Sequence, residues 1–306
     1  MLDPADCGPA TIAMSQDVQG ETFDYPEIFF EERIHEVRRV HPDPRQVKQA
    51  AEKLMNSKQP IIISGGGVLY SEAEEELSIF AKKHNIPVTS TVMGIGCMTR
   101  DDPYYISAVG ALGESSSNSL SKDTDLALAI GTKLADFTTG SWANFENPNF
   151  KLVSVNTARF DTTKHLATSV ISDAKIGLQQ ISDALGDWRA PNTWCQRAIK
   201  ERDEWDAYVE KQSGPTNQEE PSYAHAVGAV YRNSDPSDIV VTAAGGLVGE
   251  VVQVWKPKQL NTFETEWGFS CMGYEISGAL GIKMAKPDQD VVCLLYTSPS
   301  PRDAIP

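Results

Sequence analysis

"PIIISGGGVLYSEAEEELSIFAKKHNIPVTST", residues 60–91, holds the fold of this chain in miniature. "PIIIS" is apolar at consecutive positions, so both faces of that strand need cover, as in a parallel sheet between two layers of helices. Gly65, Gly66 and Gly67 break it. Ser71 with Glu74 predicts a capping box that opens a helix over residues 72–84. Acids at the start of that helix and Lys82, Lys83 and His84 at its end match the helix dipole. "IPVTST" is the next strand.

The pattern repeats on both sides. Asp43-Pro44 caps and begins a helix, with Gln46 at its third position. Val47, Ala50, Ala51, Leu54 and Met55 give that helix one apolar face. "DLALAIG" (125–131) and "KLVSVN" (151–156) read as further strands, and Asp173 and Gly186 bracket a helix over 173–185. Strands alternating with helices predict a parallel, Rossmann-like α/β domain over residues 46–188. Residues 21–45 mix aromatics, charges and prolines and read as a connector packed along a surface. Residues 189–220, a Trp-rich helix followed by "KQSGPTNQEEP", read as a linker.

A second α/β unit is expected over 221–295, from a helix at 222–232 and the strand "DIVVTA" onward. It contains two strand-to-helix turns built from small residues, "VVTAAGGLVGE" (240–250) and "EWGFSCMGYEISGALG" (266–281). Neighbouring strand ends in a parallel sheet open onto one crevice, where ligands bind. Met272, between Cys271 and Gly273, is by type a core filler, but at a strand–helix junction it projects toward whatever occupies that crevice. The "GGG" turn has the same architecture, yet the apolar Val68-Leu69-Tyr70 behind it favours packing over an anion. "DFTTGSW" (136–142) could line a cleft or satisfy its own backbone. Ser115 to Ser117 lack a nucleophile-elbow frame, and His225 reads as packed on a helix rather than catalytic.

Composition narrows the classes. The chain has 306 residues, 41% hydrophobic and 23% charged, with net charge −15, which disfavours nucleic acid partners. Five scattered cysteines without a C-x-x-C pair suit a reducing cytoplasm and no zinc site. No stretch reaches the length of a membrane span, and no signal peptide is expected at the N-terminus.

Five stretches resemble the thiamine-diphosphate-dependent enzymes related to acetolactate synthase: "GPATIAMSQDVQGETFDYP", "SGGGVLYSEA", "AIGTKLADFTTGSWANF", "AAGGLVGE" and "EWGFSCMGYEISGALGIKMA". The likeness runs over residues 8–293. It implies that residues 1–20 end a pyrimidine-binding domain with its last strand, that 46–188 are the central domain, and that 221–295 are the front half of a diphosphate-binding domain. It implies that the backbone at Gly245, Gly246 and Leu247 approaches the diphosphate and that Ser270 and Met272 contact the aminopyrimidine, with the methionine under the bent cofactor. It also implies Mg2+, a dimer or tetramer, and hydrolysis of a ring C–C bond in a cyclic diketone of inositol breakdown. The catalytic glutamate of this pattern has no counterpart here, and no metal ligand is assigned. Where Gly-Asp-Gly is expected stands "YTSPSPRDAIP" (296–306), which is expected to be a non-native tail; Asp303 is a poor stand-in. The chain as given is therefore expected to bind cofactor weakly and not to turn over. The alternatives are an acetolactate synthase or decarboxylase type of enzyme, or a non-catalytic nucleotide-binding module.

Overall fold

The computed structural model describes residues 2–295; the tail at 296–306 lies outside them. Nine strands form two parallel sheets among the described residues. The first contains β1 (Pro60–Ser64), β2 (Val88–Ser90), β3 (Tyr105–Ala108), β4 (Leu126–Ile130), β5 (Lys151–Asn156) and β6 (Thr168–Ile171), in the order β3-β2-β1-β4-β5-β6. Ile62 joins a core with helices Pro44–Met55, Glu74–His84 and Ala174–Leu185. Ile61 and Ile63 point the other way, toward helices Ser115–Asp123 and Asn192–Ser213. Covering both faces is what an uninterrupted apolar strand demands.

Asp43 caps the first helix by accepting from the Arg45 amide at 2.8 Å. Asp173 caps its helix by accepting from Lys175 and Ile176, and Gly186 closes it at φ +56°. The predicted Ser71–Glu74 box does not form. Glu72 sits at φ +51°, so the chain turns before the helix starts at Glu74. Ser71 instead accepts from the Ala174 amide with its hydroxyl and from Arg39 with its carbonyl.

The second sheet has the order β8-β7-β9, with β7 Ile239–Thr242, β8 Phe263–Thr265 and β9 Val291–Cys293. Its core includes Val240, Val251, Trp255 and Phe263, together with Val92, Ile95 and Ala108 from the strand ends of the first unit. The helix Asn192–Ser213, expected to lead into a linker, runs through both cores. Trp194 packs in the first core and donates to the Pro60 carbonyl at 2.9 Å, while Val209 packs in the second. Arg100 ties the seam, with Asp206 of that helix and buried Glu114 as partners. Lys256 reaches the same Asp206 at 2.5 Å.

Residues 8–20 form no strand; the only element there is a short 3-10 turn, Val18–Gly20. A strand needs a neighbour for its ladder, and no described strand lies beside this one. The connector at 21–45 packs along the surface only toward its end, where Arg39 and the Val40 carbonyl meet Asp173; residues 21–37 do not pack there. Phe23, Tyr25, Phe29 and Phe30 are exposed and contact one another instead.

Candidate functional site

The turns that follow β7 and β8 lie on adjacent strands, at the same carboxyl edge of one parallel sheet. Glu275 joins them. This residue stands in the first turn of helix Tyr274–Ala285 and is 1% exposed. Its Oε1 accepts from the Ala243 and Ala244 amides at 3.1 and 3.2 Å, and its Oε2 from the Gly273 amide at 3.1 Å. Its sequence signal is one carboxylate in an otherwise uncharged helix start, "CMGYEISGALG".

Past Ala244 the turn opens. Gly245 takes φ +83°, a conformation that glycine adopts without strain. A Cβ on Gly246 would meet nothing within 4 Å. Gly246 caps helix Leu247–Val254, and among the described residues nothing accepts from the Gly245, Gly246 or Leu247 amides. Open amides at a helix N-terminus favour an anion. The hydroxyls of Thr242 and Thr265, register partners at the ends of β7 and β8, are buried without a partner among the described residues.

The second turn is held from its other end by Glu266. Its carboxylate accepts from the Phe269 amide at 2.8 Å and the Cys271 amide at 2.7 Å. Desolvation works against ionisation there, but these backbone donors hold the carboxyl below its usual range. Between those contacts Ser270 is kept at φ +52°. Met272 is 73% exposed, so it is not a core filler. Trp267 meets Phe137 edge to face at 5.2 Å, which brings the "DFTTGSW" loop beside this turn.

The "GGG" turn is different. The first sheet reverses its order between β1 and β4, the position where α/β sheets usually open a ligand crevice. Here backbone fills it. Gly65 donates to Ile130 at 2.8 Å and Gly67 to Gly131 at 2.9 Å. The packing reading of this turn holds, and the nucleotide-binding alternative loses its support. His225 serves as a cap: its Nδ1 accepts from the Ser222 amide at 3.2 Å, while its own amide donates to Ser222 Oγ. Among the described residues no three His, Cys, Asp or Glu side chains are grouped to hold a metal ion, and no helix is long and apolar enough to cross a membrane.

Both turns fall inside a known pattern. Residues 243–295 match the family model described as the thiamine pyrophosphate enzyme C-terminal TPP binding domain, and residues 47–181 match the thiamine pyrophosphate enzyme central domain. Curated relatives include 3D-(3,5/4)-trihydroxycyclohexane-1,2-dione hydrolases from Clostridium tetani, at 37% identity, and Geobacillus thermodenitrificans, at 35%. The relative of that name from Bacillus licheniformis is 36% identical. Each alignment covers 96% of this chain, and the chain spans about half the length of these relatives. Carrying a central-domain match and a TPP-binding-domain match in that order, this chain belongs to the thiamine pyrophosphate enzymes.

Proposed function

We propose that this chain is part of a thiamine diphosphate-dependent hydrolase that opens trihydroxycyclohexane-1,2-dione to 5-deoxy-glucuronate in inositol breakdown. The observation that supports this reading best is the pairing of two turns on one sheet edge, one with free amides and the other with an exposed methionine. Relatives of that printed name align along 96% of the chain, both turns included.

In this reading the amides of Gly245, Gly246 and Leu247 hold the diphosphate. Ser270 and Met272 would contact the aminopyrimidine, with the exposed Met272 side chain as the apolar contact. When bound, thiamine diphosphate supplies an electron sink for breaking a bond next to a carbonyl. The chain's own contribution is geometry. Glu266 fixes the loop that carries Ser270 and Met272, and Phe137 packs edge to face on Trp267 at the start of that loop. Residues 46–188 then serve as the central domain and 221–295 as diphosphate-binding structure. Mg2+ accompanies the diphosphate, without an assigned ligand among the described residues. The protein works in the cytoplasm as a homodimer or tetramer on a small polyol-derived diketone.

Calorimetric titration with thiamine diphosphate and Mg2+ tests the site. Weak but saturable binding is expected of this chain. Gly246→Asp, which sets a carboxylate at the open turn, is expected to weaken it at least about tenfold by charge repulsion. No saturable binding, or equal binding by the variant, contradicts the assignment.

A further inference from the structure

A buried carboxylate needs partners, because a desolvated acceptor left alone is costly. Glu275 finds three, all backbone amides, and its two oxygens serve different loops. Oε1 holds Ala243 and Ala244, which lead directly into Gly245. Oε2 holds Gly273, which directly follows Met272 and itself sits at φ +89°. One rigid side chain therefore spans the root of the open turn and the root of the methionine turn.

We infer that Glu275 is the positioning residue that sets the distance between the two subsites of the cofactor, the diphosphate turn and the aminopyrimidine segment. The inference rests on the reading of those turns as a thiamine diphosphate site. Two linked groups bind better than either alone only if their subsites sit at the separation the link allows. Glu275→Gln keeps the shape of the side chain but replaces one acceptor oxygen with a donor NH2, which faces a backbone N–H. One of the two turns then loses its anchor, while each subsite keeps its own groups.

The test compares three probes on the chain and on Glu275→Gln: thiamine diphosphate with Mg2+, inorganic pyrophosphate with Mg2+, and thiamine. The expected result is a loss of about tenfold or more for thiamine diphosphate, with the two half-ligands within about twofold of the unmutated chain. A merely structural role would weaken all three together, and that outcome overturns the inference. Unchanged thiamine diphosphate affinity in the variant overturns it as well. Should Glu275→Gln not fold, Glu275→Asp carries the same comparison, since it keeps the charge and shortens the reach. If neither variant folds, Glu275 is a structural residue and the inference fails. Absence of thiamine diphosphate binding by the unmutated chain overturns the functional reading, and this inference with it.

Discussion

The turn after β1 and the turn after β7 are written in similar letters, "SGGGVL" and "AAGGLV", and they do opposite things. In the first, glycine lets two backbones touch. A Cβ on Gly65 would lie 2.4 Å from the Gly131 carbonyl oxygen, and one on Gly67 would lie 2.6 Å from the Gly131 Cα. In the second, glycine leaves space and free amides. The difference comes from across the sheet. β4, beside β1, is followed at once by Gly131, which leans over the first turn. β8, beside β7, ends in a loop that Glu266 and Glu275 hold to one side. A glycine-rich strand-to-helix turn thus keeps its amides open only when its neighbouring strand end stays clear of it.

Substitution at the closed turn is the strongest way to break this contrast. Gly65→Ala forces backbone apart on the Gly131 side and is expected to cost about 4 kcal/mol in chemical denaturation or to abolish soluble expression. A cost below about 1 kcal/mol would mean the closed turn is looser than described.

A smaller effect is expected where the two units meet. Burial pushes the Glu114 carboxyl up to about 7, against the pull of the neighbouring Arg100 guanidinium. The folded chain then holds a proton that the unfolded chain releases near 4.5. This group's contribution to stability is therefore fully present below pH 4.5 and is lost as pH rises through about 7, by about 3 kcal/mol. Glu114→Gln should flatten this part of the stability profile. An unchanged profile in the variant would show that the seam does not couple to this proton.

The smallest effect is expected at the open turn. Gly246 has ordinary helical φ and empty space beside it, so Gly246→Ala should change stability by less than about 0.5 kcal/mol. A large loss there would mean that both turns are packed and would dissolve the contrast.

The α/β architecture was legible in the chain because each device was local. "PIIIS" and "LALAI" needed two covered faces, and Asp43, Asp173 and Gly186 marked helix ends within a few residues. The short β3 and β6 escaped notice, since "YISA" and "TSVI" are too brief and mixed to show a period. The capping box at Ser71 failed because nothing in its letters shows that Glu72 turns left-handed. The positions of the two turns could be read from the sequence. Their coupling could not, because it depends on Glu275 reaching 31 and 32 residues back along the chain. Arg100 escaped for the same reason, as its partner Asp206 lies 106 residues away.

Of the two similar turns, only the second is proposed to take the cofactor. Amide chemical shifts followed during titration with thiamine diphosphate and Mg2+ separate the two. Saturable shifts are expected at Gly245, Gly246, Leu247, Ser270 and Met272, with Gly65, Gly67 and Gly131 unmoved. Shifts centred on Gly65 to Gly67, or none at either turn, would overturn the proposal.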